Sequence, residues 1–298
     1  MVGAKSSGKT VALAQLLDAV RNNASGYTPD VFENPMPLTI STEDMIDQGR
    51  LLNGALPGGT VDALEAHYAL NVNVPGNSVA PAKEEFAILD VPGEIFRRSE
   101  TGRTSDLADQ SPESTAARAE YESWIEESVG IVFFVPATGF ANNALFRMPR
   151  QELSAILKAK DDGKCPNIDR LIIAITMFDV LLLHLGDLAL DVAIRPDAVK
   201  QILKLCLRRV KLQAQDMMSK AGFNQLDIKI TPISAFGFNR EFGCANVDPN
   251  ALEKDQSGIR MKHQHDSETL PYLVGDPFLW AAFEHETQFM FDLKEIVG

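Results

Sequence analysis

The chain has 298 residues, 45% of them hydrophobic and 23% charged, an ordinary globular make-up. That length suits one large α/β domain or one domain with a substantial insertion. A formal net charge of -13 argues against a nucleic-acid backbone as the main partner. No apolar run reaches the roughly 18 residues of a membrane helix; the best stretch, Val180 to Ile194, is broken by His184, Asp187 and Asp191. Cys165, Cys206 and Cys244 show no paired spacing, which points to a reducing compartment without a metal cluster, so the cytoplasm is the expected location.

The chain opens on Gly3-Ala4-Lys5-Ser6-Ser7-Gly8-Lys9-Thr10, a full match to G-x-x-x-x-G-K-[ST]. In such a loop the glycines let successive backbone N–H groups converge on a phosphate. Lys9 reaches the β- and γ-phosphates, Thr10 offers a hydroxyl to Mg²⁺, and the following helix points its positive end at the site. Val11, Leu13, Leu16, Leu17 and Val20 fall on one helical face, and Gly26 follows the polar Arg21-Asn22-Asn23. A buried strand of about five apolar residues normally leads into this loop. Only Met1 and Val2 precede it here, so the first strand reads as truncated.

Residues 24–64 form a polar, proline-bearing stretch with a glycine-rich segment, Gly54-Ala-Leu-Pro-Gly-Gly-Thr60. Its composition suits a segment that orders and releases, and also a plain surface turn. Alternation predicts a half-buried strand over 67–74. A more apolar strand follows over 85–90, and Gly76 to Lys83 would turn between them to make an antiparallel pair. Asp90-Val-Pro-Gly93-Glu94 closes the second strand. Its carboxylate could hold a magnesium-bound water, and the Gly93 N–H could sense a γ-phosphate; a Pro-Gly turn is the plain alternative.

Ser111-Pro112-Glu113 opens a helix over 112–128, Gly130 to Val135 is a buried strand, and a helix over 147–161 leads to a strand over 171–175. A helix from Pro196 to Ala221 is stopped by Gly222, and a last strand covers 228–233. Residues 239–275 read as an irregular connection, and 276–298 as a C-terminal segment with a helix to about 296. The whole reads as a single domain, with 1–238 as its core and 24–64 as an insertion. Alternating strands and helices predict a mostly parallel α/β sheet covered on both faces, with the site at the carboxyl ends of its strands. His263-Gln-His265-Asp266 reads as a solvated loop. Lys200, Lys204, Arg208, Arg209 and Lys211 read as the solvent face of a helix, with an acidic partner as the alternative.

Two further strand ends carry Thr176-Met-Phe-Asp179 and Ser234-Ala235. Taken in order, the four pieces over residues 1 to about 240 resemble the Ras-like and translation-factor GTPases. Those proteins carry G-x-x-x-x-G-K-[ST], D-x-x-G, [NT]-K-x-D and S-A at these strand ends. The resemblance implies a three-layer P-loop NTPase sheet, mostly parallel with one antiparallel strand, in a Ras-like G domain with insertions. It implies GTP or GDP as ligand and Mg²⁺ as cofactor. Asp179 would then accept hydrogen bonds from guanine N1 and N2, and Ala235 would offer its N–H to guanine O6. Met177 replaces the usual lysine, keeping an apolar stem for the base and losing a cation. As an alternative, Asp179 is a helix N-cap. Thr60 matches the switch threonine that completes the magnesium shell with Thr10 and Asp90; Thr39 and Thr42 compete for that role.

Glu94 stands where many of these GTPases have a glutamine that orients the attacking water. A carboxylate there also repels the γ-phosphate, so slow intrinsic hydrolysis is expected. Arg97 and Arg98, just past Glu94, could serve as a finger or bind a partner. The stretch ending in Pro-Gly-Gly-Thr, the Asp-Val-Pro-Gly-Glu motif and the helix start at Asp276-Pro-Phe-Leu-Trp280 resemble bacterial double-GTPase-type domains. The expected activity is a GTP-hydrolysing switch, with Lys9, Thr60 and Glu94 in the catalytic roles and a protein effector or activating partner. An ATPase or small-molecule kinase on the same loop, and a non-hydrolysing nucleotide-binding scaffold, remain alternatives.

Overall fold

The computed structural model describes residues 1–3, 8–9, 11–13, 15–16, 86–89, 119–137, 152, 154–165, 167–208, 215, 226–246 and 271–298, and the backbone alone of 27–29, 64–72, 82–85, 90, 112–118, 147–151, 153 and 269–270. Its main sheet has five strands in the order β1 (Val2–Gly3), β5 (Gly130–Pro136), β6 (Arg170–Thr176), β7 (Asp227–Pro232) and β10 (Phe291–Asp292). The first four run parallel, and β10 pairs antiparallel at the edge. β1 is short, pairing Val2 with Phe133 and Gly3 with Phe134. A three-stranded antiparallel sheet holds β2 (Tyr27–Pro29), β3 (Leu64–Val72) and β4 (Ala82–Asp90), with Leu64 opposite Asp90. The Met1 amino group donates to the Leu89 carbonyl at 2.6 Å, placing the end of β4 beside β1. A third pair joins β8 (Ser234–Asn239) to β9 (Thr269–Tyr272).

Strand alternation builds two cores, because successive side chains point to opposite faces. Ile131, Phe133 and Val135 of β5 and Leu171, Ile173 and Ile175 of β6 face one side. There they meet α2 (Pro112–Glu127), α3 (Arg147–Asp161), α6 (Pro196–Leu207) and α8 (Leu293–Val297) through Tyr121, Ile156, Leu203 and Ile296. Val132, Phe134, Ile172 and Ala174 face the other side. That face is covered by α1, helical at residues 9, 11–13 and 15–16, and by α7 (Asp276–Phe283), through Leu13, Leu16, Phe278 and Trp280. The chain is therefore a three-layer α/β protein with a mostly parallel sheet. Among the described residues no helix is long and apolar enough to cross a membrane.

Several elements differ from the sequence reading. The helix expected over 276–296 ends at Phe283, because Glu284 turns left-handed (φ 59°) and its N–H closes on Trp280 O at 2.9 Å. A polar run then leads to β10 and the separate α8. The strand expected last, over 228–233, is followed by three more, β8, β9 and β10. β9 and the 240–246 turn lie within the stretch read as irregular, while 247–268 fall outside the described residues. The antiparallel member of the main sheet is β10, whereas the sequence pointed to the strand over 67–74. Val180–Ile194 is broken into α4 (Phe178–Leu182), a 3₁₀ turn (Leu183–Leu188) and α5 (Ala189–Ala193), with Gly186 at φ 57° making the kink. Lys200 is held by Glu295 at 2.7 Å and lies over the Phe291 ring, so it docks α8 onto α6.

Candidate functional site

The parallel strands β1, β5, β6 and β7 deliver Gly3, Pro136, Thr176 and Pro232 to one end of the sheet. Short connections there carry chemistry-bearing residues, as carboxyl ends do in open α/β sheets. The loop after β1 returns at Gly8, whose φ of 86° is left-handed and open chiefly to glycine. A Cβ on Gly8 would lie 3.6 Å from Thr176 Cβ, so Gly8 rests against the end of β6. The helix then starts, with Ala12 N–H donating to Gly8 O at 2.9 Å. Lys9 is buried, and its Nζ donates to Gly3 O at 3.0 Å, folding back across its own loop. Gly3, Gly8, Lys9 and Thr176 are thus brought together. Ala4, Lys5, Ser6, Ser7 and Thr10 lie outside the described residues.

Beyond Thr176 the chain makes a sharp turn. Met177 sits in the left-handed region (φ 58°, ψ 37°), uncommon for a residue with a side chain and a conformation that clusters at functional sites. The turn is fixed from the neighbouring strand: Ile233 N–H donates to Ile175 O at 2.8 Å, and Phe178 N–H donates to Ile233 O at 3.1 Å. These two bonds lock the start of β8 to the end of β6, so Ser234 and Ala235 stand beside Asp179. Behind them, Phe178 stacks on Tyr272 at 5.8 Å. The Tyr272 hydroxyl donates to Ala193 O at 2.9 Å, and its ring also meets Phe238 and Phe289 edge-on.

Asp179 is the unusual group in this arrangement. It is 1% exposed, and neither carboxylate oxygen has a hydrogen-bond partner. Burial pushes its carboxyl up to about 7. The Ser234 hydroxyl and the amides of Asp179 and Val180 pull it back part of the way. Ser234 Oγ also accepts the Gly237 N–H at 2.8 Å, which orients the hydroxyl beside the carboxyl. The N-cap alternative for Asp179 fails: Met177 holds the cap position of α4, and no side chain caps that helix. A buried polar group without a partner is costly, so two such oxygens in one carboxylate call for a donor from elsewhere.

Asp90 closes β4 beside β1 at the level of the backbone. Thr60, Gly93 and Glu94 lie outside the described residues, as do Thr39, Thr42, Arg97, Arg98, His263 and His265. Three features escaped the sequence reading: the left-handed Met177, the Gly237 amide that bonds Ser234 Oγ, and the Tyr272 ring behind Phe178. Only Gly237 carried a local signal, as a glycine three residues after the serine it bonds. No protein-family model and no curated protein matches the chain.

Proposed function

We propose that the chain is a GTP-binding switch that hydrolyses GTP slowly, on a Ras-like P-loop NTPase fold acting through a protein partner in the cytoplasm. The observation that carries this reading is the buried, unpartnered carboxylate of Asp179, set beside Ser234 and Ala235 and joined to the Gly8–Lys9 loop through Thr176. A guanine edge supplies two adjacent N–H donors, the complement of a carboxylate with two free oxygens. In this reading Ala235, next to Ser234 in β8, would offer its N–H to guanine O6. The layer arrangement supports the fold: α1 and α7 share one face, and α2, α3, α6 and α8 share the other.

Lys9 and the loop amides would take the phosphates, Lys9 exchanging its bond to Gly3 O for a phosphate oxygen. The donor set for magnesium is all hard oxygen, from Thr10, Thr60 and Asp90, which fits that ion. Asp90 at the end of β4 stands at the strand edge from which the loop departs. When bound, magnesium would neutralise charge on the β- and γ-phosphates. Gly93 would report the γ-phosphate, and Glu94 would align the attacking water while its charge slows the reaction.

Phosphate release from GTP and from ATP by the full chain with Mg²⁺ tests the proposal. Expected is release from GTP alone, at a turnover below roughly 1 s⁻¹ without partner and absent in Lys9→Ala. Release from ATP at an equal or greater rate would move the site to an ATPase or kinase.

A further inference from the structure

We propose that the base subsite is proton-gated: Asp179, enclosed with both carboxylate oxygens unpartnered, takes a flat heterocycle bearing two adjacent N–H donors only by giving up its own proton. This rests on reading Thr176–Asp179 and Ser234–Ala235 as that subsite. In the free chain enclosure disfavours the charge by more than the nearby Ser234 hydroxyl and the Asp179 and Val180 amides favour it, and among the described residues no cation stands beside it, so the carboxyl holds its proton below neutrality. Such a carboxyl presents one donor and one acceptor, and the donor opposes the second N–H of the ligand. On binding, the O–H bond breaks, the proton passes to solvent, and each carboxylate oxygen accepts one N–H.

Among the described residues no charged group faces Asp179. From β8 it faces Ser234, and that strand contains no titratable residue. From β6 it meets uncharged Thr176, while Arg170 stands at the far end of the same strand. His184 and Asp187 of the 3₁₀ turn and Asp191 of α5 are exposed. Behind α4, the Tyr272 hydroxyl is engaged with Ala193 O. Lys9 Nζ is turned onto Gly3 O. Burial is the largest influence on the carboxyl, raising it toward neutrality, and no charged neighbour among the described residues contributes.

The test uses GDP and inosine diphosphate, which carry the same diphosphate and differ by the amino group at position 2. Their affinity ratio isolates the base edge from phosphate titration. Preference for GDP should rise about tenfold between about pH 6 and pH 8 and then level off, as the ionised fraction of a group near neutrality does. In Asp179→Asn that trend should vanish. A carbon-13 titration of the Asp179 carboxyl gives a second readout: it should titrate near neutrality in the free chain and stay ionised with GDP bound. A flat GDP preference, or a carboxyl ionised throughout in the free chain, overturns the gate while leaving nucleotide binding intact. Absence of binding by either diphosphate at every pH overturns the subsite reading, and the gate with it.

Discussion

The Asp179→Asn substitution keeps the side-chain volume and removes the titration. Folding takes this carboxyl out of water with no hydrogen bond on either oxygen, and burial pushes it up to about 7, against about 3.9 for an unperturbed aspartate. The sign follows from counting protons. Below about pH 4 the group is neutral in both states and costs nothing. Between about 4 and 7 the unfolded chain releases its proton while the folded chain keeps it, so stability falls as pH rises. Above about 7 both forms are ionised and the penalty is complete. About three units at about 1.36 kcal/mol each set a ceiling of about 4 kcal/mol. That is a large fraction of a typical domain's stability, and a cost characteristic of a binding site. The substituted side chain would carry its own buried amide, but that cost does not vary with pH. Urea unfolding of both chains at about pH 5, 6, 7 and 8 reads the difference, in which all other titrating groups cancel. The Asp179→Asn chain should gain about 2–3 kcal/mol on the parent between about pH 5 and pH 8. A difference constant to within about 0.5 kcal/mol would refute the claim that Asp179 is a desolvated carboxyl.

Other parts of the structure give equally specific expectations. Lys9→Ala should abolish nucleotide binding, raising Kd by about a hundredfold or more, since the loop loses the lysine that reaches the β- and γ-phosphates; titration with a fluorescent guanine nucleotide checks this, and unchanged affinity would refute the assignment. Gly130→Ala should destabilise by about 1–3 kcal/mol, because its Cβ would fall 2.5 Å from Ala281 O and drive α7 off the sheet; thermal unfolding measures it. Tyr272→Phe removes the donor to Ala193 O, leaves the ring stack on Phe178 in place, and should cost about 1–3 kcal/mol in urea unfolding. Nucleotide affinity in Tyr272→Phe should fall by less than about threefold, because Phe178 and the two backbone bonds through Ile233 still hold the turn.

The sequence was legible wherever a local pattern dictated structure. β5 and β6 are uninterrupted apolar runs between polar ends, the mark of strands buried on both faces, and both formed within a residue of their expected bounds. α2 and α3 likewise match, and β3 and β4 pair antiparallel as their alternation implied. What failed was set by distant parts of the fold. Ser234 to Asn239 became a strand because Thr269 to Tyr272, some thirty residues later, supplies its partner. β10 exists through pairing with Ile230 and Lys229, and is secured by Lys229 Nζ on Glu286 at 2.9 Å and Asp292 at 3.1 Å. A two-residue strand has no pattern of its own to read. At the site, spacing placed Asp179 and Ser234 at strand ends correctly. No spacing rule reveals that a carboxylate will be enclosed and unpartnered, since that depends on Phe178, Tyr272 and Ile233 closing round the turn.

The most direct measurement is competition of GTP, GDP and ATP for the chain, with Mg²⁺, in the parent and in Asp179→Ala. The account predicts strong preference for both guanine nucleotides over ATP, with the preference lost in the variant while phosphate-driven affinity persists. ATP binding as tightly as GTP, or a guanine preference that survives in Asp179→Ala, would contradict it.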